Sequence, residues 1–186
     1  MLALVRQQQT ASPAAMAWLE GAFEAHHEGV FRAAYRVAGR IEDAEDVVQT
    51  VFLRLARSSE PVAQEVGNLG TYLRRAAVNA ALDIVRARTR RPLVALDELD
   101  PPAETGHGAT PESLSDRSQL RGRLRAALAG LHPRAAQMFV LRYFEGYSSP
   151  EIAAFFATSD SVVRVTLHRA RAELRKDLGL FWGERA

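Results

Sequence analysis

The chain has 186 residues, of which 47% are hydrophobic and 25% charged, and 24 Lys plus Arg against 22 Asp plus Glu leave a formal net charge of +2. That length suits one large or two small domains with buried cores, and no apolar run approaches the roughly 20 residues of a bilayer span, so a soluble protein without membrane insertion is expected. With no cysteine, disulfide frameworks and thiolate metal sites are excluded, which fits a reducing cytoplasm.

Charge is unevenly spread. Residues 1–92 carry twelve bases and ten acids, and four of the bases fall within Arg86-Ala87-Arg88-Thr89-Arg90-Arg91. Leu93 to Asp116 holds six acids and no base, and Arg117 to Ala186 holds twelve bases against six acids. Lys176 is the only lysine. Two basic modules joined by an acidic connector is the pattern to explain.

Residues 1–15 are expected to be loose, with Pro13 as punctuation. From Met16 to Gly39, Trp18, Leu19, Ala22, Phe23, Val30, Phe31, Ala34, Tyr35 and Ala38 recur at helical spacing and predict one or two core-facing helices. The next helix runs from Ile41 to Arg57, with acids in its first turn where the dipole favours them. Its expected buried face is Ile41, Ala44, Val48, Val51 and Leu55. Asp43, Asp46, Gln49, Thr50 and Leu53 fall on other faces.

Ser58 to Gly67 reads as a loop, after which Asn68 caps a long helix to about Arg88. Leu69, Leu73, Ala76, Ala80 and Ile84 form its apolar stripe. A second face carries Arg75, Asn79, Asp83, Arg86 and Arg90, with Tyr72 nearby; an amide among arginines suits phosphates and exposed bases. From Pro92 to Asp116, Pro and Gly are frequent and apolar periodicity is lost, which predicts an extended linker.

Helicity resumes over Ser118 to Leu131, with Leu120, Leu124, Ala127 and Leu128 inward. Pro133 opens a further helix carrying Ala136, Phe139, Val140 and Tyr143. Gly146 can take positive φ and end it. Ser148 and Glu151 then have capping-box spacing, with Pro150 in the first turn. After a short helix, Ser159 or Asp160 caps a last one, whose stripe is Val163, Leu167, Ala170 and Leu174. Arg164, Val165, His168, Arg171 and Arg175 point mostly outward. Two helices joined by a tight turn, the second basic on its exposed side, predict a helix-turn-helix that places its second helix in a DNA major groove. The same spacing also permits an ordinary helical hairpin with a solvated basic face. The tail, residues 179–186, contains apolar Leu180-Phe181-Trp182, suited to packing back or meeting a partner.

The predicted architecture is all-α: a helical module over 16–91, an acidic linker over 92–116 and a four-helix unit over 117–178. No nucleophile–base arrangement, glycine-rich phosphate loop or metal cluster points to an enzyme. His26, His27, His107, His132 and His168 lack ligand spacing, so no metal or cofactor is expected.

Asp43-Ala44-Glu45-Asp46-Val47-Val48-Gln49-Thr50-Val51-Phe52-Leu53 resembles the polymerase-binding helix of extracytoplasmic-function sigma factors. Tyr72-Leu73-Arg74-Arg75-Ala76-Ala77-Val78-Asn79-Ala80-Ala81-Leu82-Asp83, with the arginine run after it, resembles that family's promoter-melting helix. Leu131-His132-Pro133-Arg134, Phe139 to Glu145 and Leu167-His168-Arg169-Ala170-Arg171 resemble its second domain. The similarity covers about residues 18–178, in order.

The resemblance implies that Asp43, Asp46, Gln49, Thr50 and Leu53 meet the core of bacterial RNA polymerase. It implies that Tyr72, Arg74, Arg75, Asn79 and Asp83 hold the unpaired minus-ten element, with Arg86, Arg88, Arg90 and Arg91 on nearby phosphates. Ser159, Ser161, Arg164, Val165, Thr166, His168, Arg169 and Arg171 would read the minus-thirty-five element, and the linker would thread the polymerase channel. The free chain is expected to be a monomer with its two modules mobile about the linker, and the resemblance further implies a possible anti-sigma factor as antagonist. Ala157-Thr158 stands where the family usually has glycine in the turn, and Thr166 where it often has arginine. Two other readings account for parts of the chain. A stand-alone DNA-binding regulator leaves Asp43 to Leu55 unexplained, and a degenerate sigma-like protein would bind polymerase without reading a promoter.

Overall fold

The computed structural model describes residues 13–58, 68–90 and 111–179. Among them lie seven helices: α1 Pro13–Ala38, α2 Ile41–Arg57, α3 Leu69–Arg90, α4 Pro111–Gly130, α5 Pro133–Tyr143, α6 Ser149–Phe155 and α7 Asp160–Gly179. The all-α expectation holds, and the 92–110 part of the linker, the 59–67 loop and the tail beyond 179 lie outside the described residues.

Pro13 begins α1 instead of preceding it, since the first helical position needs no N–H donor. The buried face of α1 is mostly small, namely Ala22, Val30, Ala33, Ala34, Val37 and Ala38, and small residues let neighbouring helices approach closely. Trp18 and Phe23, expected inside, are exposed. Gly39 then reverses the chain at φ +80, and its N–H closes α1 on the Tyr35 carbonyl at 2.8 Å. Glycine bears this left-handed conformation without a Cβ clash.

Helix α2 buries Ala44, Val47, Val51, Phe52 and Leu55. Ile41, expected inward, is exposed, and Val48 is half-buried. The face turns toward Val47 and Phe52 because α2 packs on both α1 and α3. Asn68 caps α3 as expected, its Oδ1 accepting from the Thr71 N–H at 3.1 Å. The α3 stripe differs more. Gly70, Leu73, Ala77, Val78, Ala81, Leu82 and Val85 are buried, while Leu69, Ala76, Ala80 and Ile84 only border the core. A helix covered from two sides has no single 3.6-period stripe; α3 packs against α1 and α2 on one side and against α4 and α5 on another.

Helix α4 begins at Pro111, seven residues before Ser118 and inside the stretch assigned to the linker; proline pre-sets the φ of a first helical residue. Ala127 and Leu128 are buried as expected, whereas Leu120 is exposed. On α5, Ala136 and Val140 are joined in the core by Met138 and Leu141, and Tyr143 is exposed.

The predicted punctuation of the last two helices is in place. Gly146 sits at φ +78. The Ser148 hydroxyl and N–H donate to the Glu151 carboxylate at 2.6 and 2.7 Å, and the Glu151 N–H returns a bond to Ser148 Oγ at 3.4 Å. These bonds, the hydroxyl's first, hold the Glu151 carboxyl below its ordinary value. Their contribution is present above the unfolded-state value and is lost as pH falls through the lowered folded-state one. Ser159 Oγ accepts from the Val162 N–H at 3.3 Å, and Val163, Leu167, Ala170 and Leu174 form the buried stripe of α7 as predicted.

Between α6 and α7, Ala157 takes the left-handed turn at φ 46. An alanine there carries a steric cost that glycine avoids. Ala157→Gly is expected to stabilise the fold by about 0.5–1 kcal/mol despite the extra chain entropy of glycine. Urea unfolding checks this, and a loss of stability would contradict the turn geometry.

Helices α1 to α3 form one module and α4 to α7 the other, as expected. The modules are not separate bodies, however: α3 lies against α4 and α5, and one continuous core runs through both.

Candidate nucleic-acid and partner interfaces

Three outward faces carry the residues singled out from sequence. The first is on α2. Asp46, Gln49 and Leu53 are exposed along one edge, at i, i+3 and i+7, with Thr50 half-buried beside them. Leu53 is 53% exposed, an apolar side chain within a polar row. Asp43 is employed differently: its carboxylate accepts from Arg88 and ties the start of α2 to the end of α3.

An apolar hollow of about 510 Å³ adjoins this edge, lined by Leu19, Phe23, Phe52, Leu53 and Ala56 with Gln49 at its rim. A second, of about 550 Å³, lies across Phe23 and is lined by Phe31, His27 and Val48. Phe23 is held between them by stacking on His27 and an edge contact with Phe52, both at 4.9 Å between centroids. Sequence reasoning missed these hollows by assigning Phe23 to the core. The available signal was an excess of large apolar residues on α1 over what one stripe could bury.

The second face is on α3. Tyr72, Arg74 and Asn79 are half-buried, Asp83 and Arg90 exposed, and Arg91 lies outside the described residues. Asp83 pairs with Arg86 at 3.2 Å; the Arg86 side chain is largely covered, and its Nη2 is buried with no hydrogen-bond partner among the described residues. Arg88 keeps an exposed guanidinium while paired to Asp43. Arg75 is turned toward the other module. Its Nη2 donates to the Phe155 carbonyl at 2.7 Å, and its Cζ lies 4.9 Å from the Phe155 ring centroid and 5.6 Å from that of Phe156. Burial pulls the Arg75 pKa down from the ordinary arginine value, against the opposing influence of Tyr72 and Tyr147.

The third face is on α7. Arg164, His168, Arg171 and Arg175 are exposed along one row, and Ser161, Val165 and Arg169 are exposed beside it. Arg164 pairs with Asp160 one turn earlier. Ser159 and Ser161 share a hydroxyl–hydroxyl bond of 2.8 Å, and the Thr166 hydroxyl donates to the Val162 carbonyl at 2.8 Å. Thr166 therefore spends its donor within the helix. Val162 and Val165 are exposed, which gives this basic face an apolar strip of the kind that meets thymine methyls. Lys176 is exposed in the last turn. Among the described residues there is no cluster of His, Cys, Asp or Glu able to hold a metal, and no helix is long and apolar enough to cross a membrane.

Comparison with known proteins bears on all three faces. Residues 22–91 match the family Sigma-70 region 2, and residues 121–174 match Sigma-70, region 4. The ECF RNA polymerase sigma factor SigE of Mycolicibacterium smegmatis is 35% identical over 177 residues, covering 95% of this chain and 68% of that one. The RNA polymerase sigma factor CarQ of Myxococcus xanthus is 34% identical, over 86% of this chain and 92% of its own length. The ECF RNA polymerase sigma factor SigG of Mycobacterium tuberculosis is 32% identical over 83% of this chain, which spans about half of it at 48%. The region 2 match takes in the α2 edge and the α3 face, and the region 4 match the α7 row as far as Arg171; the chain belongs to the extracytoplasmic-function sigma factors of RNA polymerase.

Proposed function

We propose that this sigma factor binds core RNA polymerase through α2, holds a melted minus-ten strand on α3 and reads a minus-thirty-five duplex with α7. The observation that carries this reading is the pairing of two Arg-rich helix faces, one on each module, with a polar α2 edge that contains exposed Leu53. Arginine's planar fork suits phosphate and guanine, and the half-buried Asn79 supplies an amide for an unpaired base. Asp46, Gln49 and Leu53, beside the hollow lined by Phe23 and Phe52, supply a charged rim and an apolar anchor for a polymerase surface. Asp43 acts through Arg88, holding α2 against α3.

The protein is not itself a catalyst; phosphodiester synthesis belongs to the polymerase. It works in the cytoplasm as a monomer when free. The apolar hollows beside Phe23 provide a surface for an anti-sigma factor.

Reconstituted transcription with purified bacterial core polymerase and a promoter fragment library tests the assignment. Wild type is expected to initiate at a shared two-part motif. Asn79→Ala loses initiation by about tenfold or more while still binding core, in keeping with about 1–3 kcal/mol for one base contact. Asp46→Arg loses core binding itself. Absence of core binding by wild type would leave only a DNA-binding protein.

A further inference from the structure

The hollow between α1 and α2 has an apolar floor and an acidic side. Leu19, Phe23, Phe52, Leu53 and Ala56 form the floor, and Glu20 and Glu24 of α1 complete the lining with Gln49 of α2. Phe23 is 43% and Leu53 53% exposed, and Met16 and Trp18, earlier on α1, are exposed as well. Large apolar groups gathered in one open patch mark a surface that is covered by something. The carboxylates are also uncommitted. Glu28, one turn beyond Glu24, pairs with Arg32, whereas neither Glu20 nor Glu24 has an ion-pair partner among the described residues. An apolar peptide that carries one cation is the chemistry this lining fits.

The chain supplies such a peptide directly ahead of α1. Leu2, Ala3, Leu4 and Val5 are apolar, and Arg6 is the only charged side chain in residues 1–12. Gln7 to Ser12, polar but for Ala11, separate these residues from Pro13, where α1 begins. At 1.5 Å per helical residue, Leu19 lies about 9 Å and Phe23 about 15 Å along α1 from Pro13. A flexible spacer of this length has a root-mean-square reach of about 13 Å. Spacer and span therefore match, the condition under which a tethered group has its highest effective concentration, on the order of millimolar. Contacts too weak to hold a free peptide suffice for a tethered one.

We propose that Leu2–Arg6 folds back along α1 and docks in this hollow, its apolar side chains on Phe23, Phe52 and Leu53 and Arg6 against Glu20 and Glu24. The segment then covers Leu53 and stands in for a partner until one displaces it. The docking follows from the lining of the hollow and the length of the tether. The competition with polymerase rests in addition on the reading of the α2 edge as the polymerase contact. A tethered competitor lowers the apparent affinity of that edge in proportion to the fraction of time it is covered.

The test uses the full chain, which has no native cysteine. One variant carries Leu4→Cys with Ala56→Cys in the wall of the hollow. A control carries Leu4→Cys with Lys176→Cys on α7. Oxidation by copper phenanthroline in dilute protein is followed by non-reducing electrophoresis. The Ala56 pair is expected to close at least about tenfold faster than the control. Adding Leu2→Asp and Val5→Asp brings it down to the control rate, while circular dichroism checks that the helices are kept. Equal rates in the two pairs, or a fast closure that the aspartates leave unchanged, overturn the docking and leave the hollow to a separate partner.

In parallel, Leu2→Asp with Val5→Asp in the cysteine-free chain is expected to bind core polymerase about threefold or more tightly than the parent. Unchanged affinity overturns the covering of Leu53. The cross-linking involves no polymerase, so a failure of the transcription assay reports on the functional reading separately.

Discussion

Leu82→Ala is expected to lower stability by about 3 kcal/mol, and Ile84→Ala by less than half as much. Leu82 has no exposed surface, and truncating such a side chain loses its transfer free energy and leaves a cavity that a close-packed helix junction fills only in part. Ile84 borders the core, so its replacement removes fewer contacts and opens the site to water. Urea unfolding followed by far-ultraviolet circular dichroism reads both, with the midpoint shifting at constant slope. In thermal melts the Leu82 change corresponds to about 6–12 °C for a chain of this size. Equal costs, or a greater cost at Ile84, would mean that α3 presents to the core the stripe expected from sequence and not the one found.

Leu53→Asp should raise the dissociation constant for core polymerase by about thirtyfold or more, corresponding to about 2 kcal/mol for an apolar anchor at the centre of an interface. The melting temperature should stay within about 1–2 °C, because an exposed position contributes little to the core. The pairing of those two outcomes is what identifies a binding residue. Fluorescence anisotropy with labelled protein measures the first and differential scanning calorimetry the second. A large fall in melting temperature would assign Leu53 a structural role, and unchanged affinity would move the polymerase contact elsewhere. Asp43→Ala should behave differently and lose some stability, since its carboxylate fastens Arg88.

What the sequence made legible was whatever is decided locally. The Asn68 cap, the Ser148–Glu151 box, the turn at Gly146 and the Val163–Leu174 stripe each depend on residues within a few positions of one another, and each is found as expected. The buried face of α3 was read wrongly because a one-sided stripe was assumed for a helix with neighbours on two sides. Trp18, Phe23 and Tyr143 were taken inward as apolar residues of a helical pattern, although the small residues of α1 and the Met138–Leu141 pair already fill the space. The candidate site was legible as residues but not as geometry. Nothing near Arg75 in sequence announces a carbonyl 80 positions away, nor does Asp43 announce Arg88. Mobile modules were expected because the Pro- and Gly-rich connector dominated that reading, and the docking of α3 on α4 and α5 is a long-range fact with no local signature.

The near-absence of lysine has a chemical consequence. Of the 24 cationic side chains, only Lys176 is an amine, and it stands in the last turn of α7, beyond the stretch read as the DNA-facing row. Arginine stays protonated far above physiological pH and is not a substrate for lysine acylation. The positive potential of this protein is therefore close to a fixed quantity: acyl transfer can cancel one charge in 24, and alkaline shifts none of the rest. Its attraction for a polyanion can be tuned from outside, by ions or by an acidic competitor, but scarcely by acylating its own side chains.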